Sequence, residues 1–171
     1  MYLRIYLALF ALVSWISEAV KIAKANGWSV DIALHPGVKP RVAKLVKRKT
    51  GTASLVDGVE TSDLRKYSAV VTDFSGIAHD SLMLGIPTVS VLIDFQNYQE
   101  LCPSLIDDDQ MNVAYVVNNF AELEPKMMLA VKSDTKANAR EAYVNSIVTG
   151  LGALPGVNTR ESVLTALNGN S

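Results

Sequence analysis

The chain has 171 residues, 49% of them apolar, which suits a single domain with a sizeable core. Sixteen Lys and Arg against seventeen Asp and Glu leave a net charge of −1, without the basic surplus that a dedicated nucleic-acid binder needs. The lone cysteine, Cys102, excludes a disulfide framework and fits a reducing compartment, and His35 and His79 stand apart with no cysteine spacing to make a metal site. Neither a metal nor a cofactor is expected.

Residues 1–16 are apolar apart from Arg4 and Ser14. A membrane span needs roughly 20 apolar residues, so a buried strand or helix is one reading. An export or membrane segment is the other, because an early positive charge, an apolar core and small residues near Ser17-Glu18-Ala19 also describe a signal peptide. From 13 to 26 the pattern turns amphipathic, with Ile16, Val20 and Ala23 on one face and Glu18, Lys21 and Lys24 off it. Asn26-Gly27 supplies the helix end.

Residues 28–34 form the next predicted strand, ending in His35-Pro36-Gly37. Pro40 suits the first turn of a helix over 40–49, with Val42, Leu45 and Val46 inward and Lys44, Lys47 and Arg48 outward. Thr50-Gly51 closes it, 53–56 is a short strand, and Thr61-Ser62-Asp63 caps a brief helix over 64–67.

The stretch from Ser68 to Tyr98 organises the rest. Ala69-Val70-Val71-Thr72 has the β-branched character of a strand buried on both faces. Asp73-Phe74-Ser75-Gly76 breaks it with residues suited to a turn and a helix cap. A helix over 77–84 follows, with Ile77, Met83 and Leu84 facing a sheet. Gly85 ends it in a left-handed conformation, and Pro87 introduces a strand over 88–93 closed by Asp94. Beyond, 96–103 is irregular, and Asp107-Asp108-Asp109 reads as a solvated acidic loop more readily than as a metal cage. Residues 112–117 read as a last strand. Helices are predicted over 120–132, with Pro125 in the first turn, and over 136–148. A Gly/Pro loop over 151–157 leads to a helix capped by Asn158. The alternation implies an α/β class: a Rossmann-like parallel sheet flanked by helices, with further helices at the C-terminal end.

Two turns stand at the carboxyl ends of predicted strands, each followed by a helix start. Helix N-termini offer unpaired N–H donors and a partial positive charge, so both favour phosphate oxygens. At the first turn His35 could donate to phosphate and stabilise a leaving group, Gly37 follows it, and Lys39 and Arg41 add positive potential. At the second, Asp73 is a turn or contact residue, Ser75 a hydroxyl donor or plain cap, and Gly76 an open backbone position. His79 lies one helical turn after Ser75, facing the same place or packing a helix. Asp80 could pair near the positive helix end. The pattern fits a pyrophosphate-containing nucleotide. The chain lacks both G-x-G-x-x-G and G-x-x-x-x-G-K-[ST], which weakens the dinucleotide and P-loop options.

At these residues the chain resembles a family. Asp31-Ile32-Ala33-Leu34-His35-Pro36, then Val71-Thr72-Asp73-Phe74-Ser75-Gly76, Asp80, Leu84, Pro87 and Asp94-Phe95-Gln96-Asn97-Tyr98 look like the carboxyl-terminal half of the CDP-glycerol glycerophosphotransferases, the teichoic acid primases and polymerases. The likeness covers residues 30–98 and, more faintly, the terminal helix. Gly76 stands where the family has a second serine, Phe74 where it has tyrosine, and Gln99-Glu100-Leu101 where an arginine is usual. The resemblance implies one half of a GT-B architecture, two Rossmann-like domains facing across a cleft. Residues 1–171 would then be a single donor-nucleotide domain, with 1–26 an apolar leading segment and 119–171 a C-terminal helical part. By that likeness His35 assists departure of CMP, Ser75 and Gly76 hold phosphate, and Asp73 orients the turn.

The implied donor is CDP-glycerol or a related nucleotide diphosphate, and the acceptor a polyol-phosphate or glycan of the cell wall. The acceptor-side domain would come from a second GT-B domain or a homo-oligomer, and no nucleic acid is expected. The implied setting is cytoplasmic, or peripheral at the inner face of the membrane. Two alternatives stand beside this. One is half of a nucleotide-sugar GT-B glycosyltransferase or epimerase; the other is a non-catalytic nucleotide-binding module.

Overall fold

Short β-branched runs alternate with amphipathic stretches, and such a chain can bury its strands only by stacking them side by side under helices. A computed structural model describes residues 2–7, 13–34, 38–51, 53–56, 61–73, 75–93 and 108–152. It contains a six-stranded sheet of β1 (Tyr2–Leu7), β2 (Ser29–Leu34), β3 (Ser54–Val56), β4 (Ala69–Thr72), β5 (Thr88–Val91) and β6 (Tyr115–Val117) in the order β3-β2-β1-β4-β5-β6. Every pairing is parallel. The helices are α1 (Val13–Ala25), α2 (Pro40–Thr50), a 3-10 helix (Thr61–Lys66), α3 (Ile77–Met83), α4 (Asp108–Val113), α5 (Phe120–Lys132) and α6 (Ala137–Gly152).

Of the leading apolar residues, Tyr2–Leu7 are therefore the centre of the sheet and 13–16 begin α1. β1 pairs with β2 along its full length and with β4 from Leu3 to Tyr6. This is the buried-element reading. No helix among the described residues is long and apolar enough to cross a membrane.

Period-two alternation divides the core between the two faces. On one face Val30 and Ile32 of β2, Ala69 and Val71 of β4, Val89 and Val91 of β5, and Tyr115 and Val117 of β6 pack with α1 and α5. α1 contributes Trp15, Ile16, Ala19, Val20 and Ala23; α5 contributes Leu123, Met127 and Ala130, spaced i, i+4, i+7 as one buried stripe. On the other face Val70 meets Leu64 of the 3-10 helix, Ile77 of α3 and Ile86. Leu82, Val113 and Ala114 form a third cluster against Tyr143 of α6.

Several local expectations need correcting. The buried face of α3 is Ile77, Ala78, Ser81 and Leu82, whereas Met83 is only partly buried. The Ser81 hydroxyl lies 2.7 Å from that of Thr88 on β5, so a buried polar pair takes the place expected of apolar contacts. The acidic run is not a loop throughout: Asp108 and Asp109 open α4, and Asp107 lies outside the described residues. Residues 112–117 are not one strand. Asn112 and Val113 finish α4, and the Lys136 ammonium donates to the carbonyls of Asn112 (2.7 Å) and Ala114 (2.8 Å), ending the helix before β6 begins at Tyr115. Pro125 sits in the second turn of α5 rather than the first. There Asn119 caps the helix by accepting from Ala121 N–H at 3.1 Å, and Glu122 reaches back to the Asn118 N–H at 2.9 Å. Gly85 does take the left-handed conformation, with φ of 73°. The loop expected over 151–157 starts later, because α6 runs on through Gly152; 153–157 and the helix expected from Asn158 lie outside the described residues.

A buried ionic cluster fixes the turn between α5 and α6. Arg140 is 2% exposed. Its guanidinium donates through both terminal nitrogens to the Asp134 carboxylate, and Nε donates to the Gly85 carbonyl at 3.3 Å. The Tyr115 hydroxyl donates to Asp134 at 2.9 Å and accepts from the Thr135 N–H at 2.8 Å. Partial burial pushes the Asp134 carboxyl upward, but hydrogen bonds from Arg140 and Tyr115 and the Arg140 charge outweigh it and hold the group below its ordinary range. Lys136 is held below its usual value by burial and by the cations Lys126 and Arg140.

Candidate functional site

All six strands run the same way, so all their carboxyl ends share one edge. The helices following β1 and β2 pack on one face of the sheet, and the helix following β4 packs on the other. The strand order reverses between β1 and β4, and α1 and α3, which follow them, pack on opposite faces; in open parallel sheets the ligand crevice lies outside the carboxyl ends at such a reversal.

The strand ends that precede the two turns singled out in the sequence stand on either side of β1. Tyr6 of β1 is level with Ala33 of β2 on one side and Thr72 of β4 on the other. Leu34 and Asp73 thus leave the sheet at the same height, on either side of β1. At roughly 4.8 Å per strand spacing they are separated by about 10 Å, a span that a pyrophosphate and its flanking groups can bridge. His35 and Gly37 lie outside the described residues, as does Phe74. The chain resumes on the α2 side with Lys39, extended at φ −61° and ψ 141°, and Pro40 takes the first helical position. Lys39 and Arg41 are both exposed there. α2 has no side-chain cap among the described residues; Pro40 carries no N–H and the Val42 N–H donates to the Lys39 carbonyl at 2.8 Å, which leaves the Arg41 N–H in the first turn for an acceptor.

On the α3 side, Asp73 is 3% exposed at the end of β4. The turn is tight: Ser75 N–H donates to the Asp73 carbonyl at 2.7 Å, and Ala78 N–H to the Ser75 carbonyl at 2.9 Å. Ser75 is half-buried, and its hydroxyl is 3.5 Å from the Ile77 N–H, too long to satisfy that donor well. The helix boundary falls at Gly76, not Ser75, and Gly76 is in an ordinary helical conformation, φ −54°. Its value is space: a Cβ there would meet nothing within 4 Å, so the turn is open above it.

His79 is half-buried and turned towards α6. Its Nδ1 is 3.5 Å from the Tyr143 hydroxyl, and the two rings meet edge to face at 6.5 Å. That is the geometry of a helix-packing histidine. Asp80 is half-buried in the first turn of α3. Among the described residues no group of three or more His, Cys, Asp and Glu could hold a metal ion.

Thr72 was not singled out in the sequence. It is fully buried at the carboxyl end of β4, level with Tyr6 and Ser90, and its hydroxyl has no hydrogen-bond partner among the described residues. Inside Ala69-Val70-Val71-Thr72 a threonine looks like one more β-branched packing residue, so the sequence carries no signal for it.

No family model matches the sequence, and no curated protein matches it. Solved structures do. The calicheamicin glycosyltransferase CalG4 is 13% identical, with a TM-score of 0.56 over 90% of this chain and 43% of its own. The UDP-GlcNAc 2-epimerase of Neisseria meningitidis, bound to UDP-GlcNAc, is 16% identical, with a TM-score of 0.52 over 86% of this chain and 44% of its own. The catalytic domain of the cholesterol-α-glucosyltransferase of Helicobacter pylori is 13% identical, with a TM-score of 0.51 over 87% of this chain and 99% of its own.

The fold is one Rossmann-like half of the GT-B kind. The chain spans less than half the length of CalG4 and of the epimerase. At these identities the likeness establishes architecture, and architecture alone does not assign a donor. The resemblance to the glycerophosphotransferases is not matched by these neighbours, which are glycosyltransferases and an epimerase.

Proposed function

We propose that this chain is the nucleotide-binding half of a GT-B enzyme that takes a sugar activated by a nucleoside diphosphate, with the facing half supplied by a further domain or chain. The observation carrying this reading is the reversal of strand order at β1 and β4, with a helix start on each side of one crevice. Negative charge accumulates on the diphosphate as it departs. The Arg41 N–H at the start of α2, the Ser75 hydroxyl and the Lys39 and Arg41 cations are donors and charges suited to it. Asp73, buried under the turn, sets the direction in which Ser75 faces. His35 and Gly37 would complete the α2 side, with His35 protonating or stabilising the leaving phosphate. The neighbours that are glycosyltransferases or bind UDP-GlcNAc support this donor class over others. A glycan or polyol acceptor and a cytoplasmic setting, where such donors are made, belong to the same proposal.

A second reading, transfer of glycerol phosphate from CDP-glycerol, is favoured by one observation: His35-Pro36 and Thr72-Asp73-Phe74-Ser75-Gly76 each follow a strand of the same sheet. Calorimetric titration with UDP, UDP-GlcNAc, CMP and CDP-glycerol separates the two. Tighter binding of the uridine compounds supports the first, and of the cytidine compounds the second. Folded protein that gives no heat with any of them overturns both.

A further inference from the structure

The charge of this chain is unevenly placed. Lys39, Arg41, Lys44, Lys47, Arg48 and Lys49 lie within eleven residues, and no acid occurs between Asp31 and Asp57. These six are taken from sixteen basic residues; the ten left face seventeen acids, so the rest of the chain carries a net −7. All six are exposed, and among the described residues none is in an ion pair. α2 turns Val46 and Thr50 into the core, so the helix is anchored by its apolar side and its cations stay outside. Arg41, Lys44 and Arg48, spaced i, i+3, i+7, line one open groove of about 410 Å³ with Val42 and Leu45.

Beside it lies a second open groove, of about 630 Å³, between α1, α2 and the start of α5. Leu45 borders both. Lys49 lines the second groove, as do Lys21, paired there with Glu18 at 2.9 Å, and Phe120, the large apolar residue most exposed to solvent among those described, at 43%. A basic helix beside a protruding aromatic side chain is the composition that binds an anionic bilayer surface: cations meet the headgroups and the ring enters the boundary beneath them.

We propose that the outer surface of α2, together with Phe120 and Leu45, docks this domain onto a membrane rich in anionic phospholipid. The docking is peripheral, because the apolar side of α2 is already used in the core. The net negative remainder of the molecule is repelled from the same surface, so the charge asymmetry also sets the orientation, with α2 down. A bilayer fits better than a shaped partner, since six long flexible cations over shallow grooves match a diffuse, planar charge. The proposal does not depend on the nucleotide reading.

The test is co-sedimentation of the full chain with vesicles of equimolar phosphatidylcholine and phosphatidylglycerol, against phosphatidylcholine alone, at low and high salt. Binding is expected only to the anionic vesicles, with release at high salt. The variant carrying Lys44→Glu, Lys47→Glu and Arg48→Glu, all exposed positions away from the crevice, is expected to bind at least about a hundredfold more weakly, at about fivefold per cation. Phe120→Ser is expected to weaken binding severalfold while leaving its salt dependence intact. Circular dichroism melts confirm that each variant is folded. Absence of binding by folded wild-type protein, equal binding to neutral vesicles, or undiminished binding of the triple variant overturns the proposal. So does retention on heparin or polyglutamate without vesicle binding, which would make the partner a soluble polyanion.

Discussion

Arg140 offers the sharpest test of how this fold is held together. The residue is 2% exposed and its Asp134 partner 23% exposed, so removing either charge leaves the other inside or at the edge of the core. Breaking a buried pair by removing one partner costs roughly 3–5 kcal/mol. In Arg140→Met the abandoned carboxylate keeps the Tyr115 hydroxyl and some water, so the cost is expected near the lower end, about 3 kcal/mol. In Asp134→Asn the abandoned guanidinium has almost no access to solvent, and about 4 kcal/mol is expected. The double variant leaves neither charge stranded and should cost at least about 2 kcal/mol less than the sum. Urea unfolding followed by circular dichroism measures all four proteins, with unchanged m-values as the control. Acid provides an independent arm. Because the folded-state pKa of Asp134 is lowered, its stabilisation is complete above the unfolded value of about 3.9 and is lost as pH falls through the folded value. The gap between wild type and Asp134→Asn should therefore close below about pH 4. Single variants costing under about 1 kcal/mol, additive costs in the double variant, or a gap independent of pH would refute the reasoning.

Ser75→Ala should weaken nucleotide diphosphate binding by about tenfold or more, the worth of a hydrogen bond to a charged acceptor, with little change in melting temperature because its contact to Ile77 is long; calorimetry and a thermal melt read the two effects. Gly85→Ala should cost about 1 kcal/mol by urea titration although its Cβ would meet nothing within 4 Å, since the cost is the positive φ itself. Ser81→Ala leaves the Thr88 hydroxyl its bond to the Ile86 carbonyl at 3.0 Å and should cost about 1 kcal/mol by urea titration, the worth of one hydrogen bond; a cost above about 3 kcal/mol would show that the Thr88 hydroxyl is left unsatisfied. Thr72→Val exchanges a buried hydroxyl without a partner among the described residues for a methyl group and should stabilise the free protein by about 1 kcal/mol, so a loss of stability would reveal a partner that the hydroxyl serves.

The fold was legible because its signals are local. The β-branched run at Ala69 to Thr72, the left-handed Gly85 and the amphipathic stripe of α1 each follow from a handful of neighbouring residues. β1 was harder. It is paired on both edges, a central parallel strand is commonly a near-continuous apolar run, and such a run with one early Arg4 looks the same as an export segment. The end of α4 was misread because it is set by Lys136, more than twenty residues away in the chain. Asp134 and Arg140 carry no spacing that announces a buried pair; only the return of α6 against the α3–β5 turn brings the guanidinium to Gly85. In the candidate site, strand ends and turn chemistry located Lys39, Arg41, Asp73, Ser75 and Gly76 on one edge. The direction of His79 towards Tyr143 depends on packing between α3 and α6, which no local pattern encodes.

The position of β1 has a consequence for how the molecule is made. β1 is the strand both halves of the sheet lean on, and its second neighbour, β4, is synthesised some sixty residues after it. Until then one edge of the keystone strand has no backbone partner. A chain shortened by its first seven residues would keep every helix and every other strand and still fall into two unpaired leaves, β2–β3 and β4–β5–β6.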